Sequence, residues 1–229
     1  EMTPRRNGLF TQRLAATSVP ILLCLLTWGD VAAVESSPIA YVTSEASGAV
    51  VGVDAVSLKT VRQFAVGSRP HNLKVTADGL LVIATQGTQT VSVVDPTTDP
   101  ATINRIDIGM PPHDMAVSPD GRTVVVASGG GLLATLDPAS GRILQKVGLK
   151  GRPHNVIVWR GAAWITDISA RRILFVDGEK VQALPISVVG HDLAARPDAE
   201  ELWVTPWDSD RIVILDSNTQ REVAAFRVG

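Results

Sequence analysis

Histidine occurs four times in this 229-residue sequence, and always in the same slot. His71 lies in "RPHNLKVTADG", His113 in "PPHDMAVSPDG", His154 in "RPHNVIVWRG" and His191 in "VGHDLAARPD". Each is followed by an amide or a carboxylate: Asn72, Asp114, Asn155 and Asp192. Neutral imidazole ligates Cu, Zn and Fe, and it exchanges protons near neutral pH. A repeated His–Asn/Asp pair is therefore open to three chemistries. It can fasten neighbouring units by satisfying buried polar groups. It can hold a metal or haem through the four imidazoles. It can form a polar site for a small molecule or peptide.

The elements that carry these pairs form a repeat. Five segments read as an apolar strand, a polar turn and a second apolar strand ending in Asp, at Asp54, Asp95, Asp137, Asp177 and Asp216. The Asp spacings are 41, 42, 40 and 39 residues, and the His spacings are 42, 41 and 37. A period near 40 built from short strands predicts an all-β propeller with four-stranded blades. In one unit "HNLKVTA" is the innermost strand and "ADG" or "PDG" is a tight turn. Gly79 or Gly121 supplies the positive φ of that turn. "LLVIAT", "TVSVVD" and "INRIDIG" complete the blade. The near-continuous Val, Ile and Leu of the middle strands predict sheets packed on both faces. Innermost strands line the channel of a propeller, so the histidines are expected along one rim. By strict alternation, Asn or Asp should face the opposite way from its His.

The repeat resembles the YVTN-type β-propeller family. "YVTS" (Tyr41 to Ser44) nearly spells its namesake motif, and "SPDGRTVVVAS" followed by "LLATLDPASGRIL" follows one full repeat. The resemblance covers residues 39–229 and implies the fold more than any one function. WD-repeat propellers are similar in using a repeated His and Asp for packing. The His ring also resembles the copper centre in the propeller of nitrous oxide reductases, without their doubled His motifs. Propellers that carry a d-type haem are similar in repeat pattern, but no haem-ligand motif is evident here. Streptogramin lyases have a similar "PHG" element. Here Asn or Asp always takes the place of that Gly, so no single His is marked as a general base.

Five sets of the three outer strands accompany only four innermost strands. "FRVG" falls where a further innermost strand is due. The expectation is a seven-bladed ring with about five blades in this sequence. The alternative is a five-bladed ring in which Val34 to Ala40 supplies the missing strand.

Arg5, Arg6 and Arg13 precede the apolar run "LAATSVPILLCLL", and "VAA" then offers a cleavage site. Residues 1–33 therefore read as a signal peptide, and 34–229 as an exported propeller, periplasmic or secreted, with no membrane span. Cys24 is the only cysteine and would leave with the signal, which removes thiolate metal sites and Cys nucleophiles. Cleavage leaves 18 basic against 21 acidic residues, so bulk charge favours no nucleic-acid partner. A monomeric binding or scaffolding protein for a small-molecule or protein partner is expected; the alternative is a periplasmic redox or lyase-type enzyme that uses the His rim to hold a metal or haem. The turn "PWDSD" breaks the repeat, and Trp207 within it is a candidate partner contact, with Arg171 and Arg172 as anion contacts. Thr43, Thr85, Ser128, Thr166 and Thr205 recur at one slot and read as structural, as does the strand-ending Asp series.

Overall fold

The computed structural model describes residues 37–228; the expected signal segment lies outside them. Nineteen strands form five antiparallel meanders. The first sheet has three strands, β1 (Ile39–Ser44), β2 (Ala49–Asp54) and β3 (Thr60–Ala65). The second has β4 (Pro70–Val75), β5 (Leu81–Thr85), β6 (Thr90–Asp95) and β7 (Thr102–Asp107). The third has β8 (Asp114–Val117), β9 (Val124–Ser128), β10 (Leu132–Asp137) and β11 (Arg142–Gly148). The fourth has β12 (Pro153–Trp159), β13 (Ala162–Asp167), β14 (Arg172–Asp177) and β15 (Lys180–Pro185). The fifth has β16 (Gly190–Ala195), β17 (Glu201–Pro206), β18 (Arg211–Asp216) and β19 (Arg221–Arg227). The strands β4, β8, β12 and β16 adjoin in that order, with β1 beside β4. This is a β-propeller architecture with five blades among the described residues. No helix there is long and apolar enough to cross a membrane.

The core lies between blades rather than within one. Successive side chains of a strand point to opposite faces, and each middle strand divides its residues accordingly. In β5, Leu81 and Ile83 pack with Val50, Phe64 and Val66 of the preceding blade and its linker. Val82 and Ala84 pack instead with Met115, Val124 and Val126 of the following blade. The strand β9 repeats the division: Val125 and Ala127 join Val156, Ala163 and Ile165 of the next blade. Trp164 turns to Leu193, Leu202 and Val204 of the fifth. Two buried faces explain the continuous apolar runs. Each fully buried Val, Leu or Ile stabilises by about 1.5–3 kcal/mol.

Turn chemistry follows the sequence. Gly79 and Gly121 adopt φ of 84° and 73°, a region that suits glycine. Asp54, Asp95, Asp137 and Asp216 each accept a backbone N–H two or three residues ahead, from Val56 and Ser57, Thr97, Ser140 and Thr219. Asp177 differs. It ends β14 at a two-residue hairpin in which Gly178 takes φ 57°.

Candidate functional site

The His–Asn/Asp pair does not sit in a regular strand. In β4 the register runs from Pro70 opposite Thr85 to Leu73 opposite Ile83, so His71 and Asn72 together face one residue. The same shift brackets His154–Asn155 and His191–Asp192. In the third blade the His113 N–H bonds to the Ala127 carbonyl while Asp114 is itself opposite Ala127. A bulge of this kind inserts one residue and re-aims side chains. Strict alternation therefore does not govern this pair. The extra N–H that the bulge frees is satisfied by the strand behind it: Asn155 N–H donates to Thr166 Oγ1 and Asp192 N–H to Thr205 Oγ1.

In the third and fourth blades the residue after the histidine reaches forward to the next blade. Asp114 is buried, and its Oδ2 accepts from Asn155 Nδ2 at 2.6 Å and from the Val156 N–H at 3.0 Å. Asn155 Oδ1 accepts the Leu193 N–H at 2.8 Å. The slot's threonines act the same way: Thr43 Oγ1 donates to the His71 carbonyl and Thr166 Oγ1 to the His191 carbonyl. Thr85 and Ser128 stay within their own blades. Asn72 Oδ1 is the exception, a buried acceptor with no partner.

The imidazoles are largely spared this work. They form a stacked arc in which ring centroids lie 5.2 Å apart for His71–His113, 4.2 Å for His113–His154 and 4.4 Å for His154–His191. The rings thus follow one another around the rim instead of meeting at one point. One long contact, His113 Nδ1 to the His154 carbonyl at 3.3 Å, links blades through a ring nitrogen. His154 Nδ1 is buried and has no partner. His71 Nε2 faces Glu45 at 3.7 Å, and His191 Nδ1 faces Asp192 at 3.0 Å. The four His–Asn/Asp pairs line a cavity of about 240 Å³. Burial, then the charge of neighbouring imidazoles, holds His113 and His154 below the ordinary imidazole value of 6.5. Both rings are therefore mainly neutral at pH 7, with lone pairs available to an electrophile or a donor.

Trp207 extends the stack. Its ring lies 4.6 Å from His191 and edge-on to His154 at 5.8 Å, while 60% of the residue remains exposed. Its turn is anchored by Asp208, which accepts the Val189 N–H and pairs with Arg171 at 2.9 Å. The backbone hydrogen bond and then Arg171 hold the Asp208 carboxyl below its usual range. Arg172 is engaged beside this turn. It pairs with the fully buried Asp167 at 2.7 Å and donates to the Lys150 carbonyl. Burial pushes Asp167 up, but hydrogen bonds from Ser169, the Arg152 N–H and Arg172 outweigh it, and its pKa is lowered. The sequence alone did not single out Asp167 as a site residue; an Arg five residues on was the signal available there.

Several donors converge at one end of the arc. Ligand atoms of His154, His191 and Asp192 all lie within 4.8 Å of one another. His71 and His113 are not part of that group.

No protein family matches the chain by its sequence. No curated protein matches it either. Solved structures do match in fold. Virginiamycin B lyase from Staphylococcus aureus superposes with a TM-score of 0.69 at 14% identity, covering 82% of this chain and 66% of the lyase. A streptogramin B lyase gives 0.71 at 14% identity, covering 85% and 66%. Dihydro-haem d1 dehydrogenase NirN, in complex with DHE, gives 0.60 at 18% identity, covering 83% and 54%. The chain thus spans between half and two thirds of these proteins' lengths. At such identities the likeness is one of fold, and the chain shares the propeller architecture of these structures.

Proposed function

We propose that this chain is an exported propeller of the YVTN type, periplasmic or secreted, that binds a small ligand or a partner group at its histidine-lined rim. One observation carries this reading. Fastening of neighbouring blades at the rim falls mainly to Asn, Asp and Thr, with one long contact from His113, while the four imidazoles line an open cavity. His154 Nδ1 is buried with no hydrogen-bond partner, so this ring is not held by a fastening bond through that nitrogen. Trp207 adds an exposed aromatic face beside it, of the kind enriched in binding surfaces. The test is a thermal-shift screen of small polar and aromatic ligands in chelator-treated buffer, on wild type and His113→Gln/His154→Gln. A ligand that raises the midpoint of wild type alone is the expected result. Shifts that persist in the double variant would overturn the rim as the site.

A second reading is a periplasmic redox or lyase-type enzyme that uses the rim to hold a metal or haem. It is favoured by the cluster of His154, His191 and Asp192. The solved neighbours named as lyases and as a haem d1 dehydrogenase agree with it in fold class. Elemental analysis and a visible spectrum of the exported protein decide between the two readings. A haem band, or stoichiometric metal whose removal abolishes turnover, favours the enzyme.

A further inference from the structure

We propose that His154, His191 and Asp192 form a mononuclear site for a borderline divalent transition ion, Zn²⁺ or Cu²⁺, at one end of the histidine arc. The inference rests on the rim being a binding surface, and it names both the ligand class and the corner that takes it. The geometry is close to what coordination needs. Two donors on one ion, each bonded at about 2.0–2.1 Å and near the tetrahedral angle, lie roughly 3.3 Å apart. His191 Nδ1 and Asp192 Oδ2 lie 3.0 Å apart already. The widest separation in the trio is no more than 4.8 Å. The Asp192 side chain is 55% exposed, so its carboxylate has room to adjust to an ion.

The donor set selects the ion. Two imidazole nitrogens and one carboxylate oxygen suit Zn²⁺ and Cu²⁺, whereas Mg²⁺ and Ca²⁺ call for oxygen shells. Three protein ligands leave at least one position open to solvent or an exogenous ligand. The bulge supplies the placement, because it puts His191 and Asp192, adjacent in sequence, on the same ion. At two of the other three pairs the equivalent residue is drawn away, and at the third it is no carboxylate. Asp114 and Asn155 are held by the next blade, and Asn72 is an amide. Asp192 alone keeps its carboxylate beside its own histidine. Trp207, whose ring lies 4.6 Å from that of His191, is a built-in reporter, since Cu²⁺ bound by that histidine would sit close enough to quench indole emission.

The experiment uses the untagged whole chain, stripped with chelator, and titrates Zn²⁺ by calorimetry and Cu²⁺ by fluorescence and electron paramagnetic resonance. One ion per chain is expected, with nitrogen hyperfine structure from two imidazoles and quenching that Trp207→Phe greatly reduces. His154→Gln and Asp192→Asn should each weaken binding by about tenfold or more. His71→Gln, at the far end of the arc, should leave affinity unchanged. Stoichiometric binding that survives His154→Gln and Asp192→Asn, or that needs His71, would overturn the site. So would the absence of any binding by either ion. A small-molecule hit from the thermal-shift screen in chelator would then leave the rim-binding function standing while this inference falls. Failure of both would remove the two together.

Discussion

The forward bonds from Asp114 allow a quantitative test of how the blades are joined. Asp114 is 6% exposed, and a single oxygen of it accepts two hydrogen bonds from the fourth blade, from Asn155 Nδ2 and the Val156 N–H. Hydrogen bonds to a charged acceptor contribute about 1.5–3 kcal/mol each, and an orphaned buried donor costs about 1–3 kcal/mol. Val156 is 2% exposed, so its N–H has little access to replacement water. The Asn155 amide lines the rim cavity and can rehydrate. Asp114→Ala should therefore destabilise by about 3 kcal/mol, near the single Val156 penalty plus the charge-assisted bond. For a domain of this size that is a fall of roughly 6–12 °C in Tm. Asp114→Asn is the control. Its amide oxygen can take the place of Oδ2 and accept both bonds, so only the charge is lost, about 1 kcal/mol. The assay is urea unfolding followed by tryptophan emission, with m compared across variants to check two-state behaviour. An alanine variant within 1 kcal/mol of wild type would refute the reasoning, as would an asparagine variant as unstable as the alanine.

Two further predictions follow from the same geometry. His113 and His154 have lowered pKa values, so the folded state binds fewer protons than the unfolded state just below pH 6.5. Their contribution to stability is complete above that value and is lost as pH falls through the window beneath it. Urea midpoints at pH 7.5, 6.5 and 5.5 should decline in wild type and flatten in His113→Gln/His154→Gln; parallel profiles would contradict this. Arg172→Met leaves the fully buried Asp167 without its counter-charge and should cost about 3–5 kcal/mol. Arg171→Met removes a largely exposed pair and should cost less than about 1 kcal/mol, so equal effects in thermal melts would show the assignment to be wrong.

The repeat made the blades legible, because an Asp at the end of each blade's penultimate strand and a Gly in the first turn of the second, third and fourth blades are local signals. The arc of histidines followed from period alone. The bulge did not, since an inserted residue leaves no mark on a strand whose pattern is read by alternation. It lets His71 and Asn72 share one partner position, where alternation would have assigned them opposite faces. The bond between Asp114 and Asn155 was hidden for another reason: it depends on the offset between two blades, which no single repeat encodes. Trp207 stood out as an aromatic in a turn, but its seat on His191 depends on Asp208 holding that turn to Val189. Arg172 read as a surface cation because its partner, Asp167, is placed by the same turn that buries it.

The bulge also has a consequence for how such a chain can change. By giving the joint to one residue and the rim to its neighbour, it separates what keeps the blades together from what they present. Each rim position can then be rewritten one at a time with little toll on the frame. A row of four such positions works as a short alphabet along the channel mouth, with spelling that is free to diverge while the binding between letters stays fixed. The one ring nitrogen that touches the frame, on His113, marks where that freedom is narrowest.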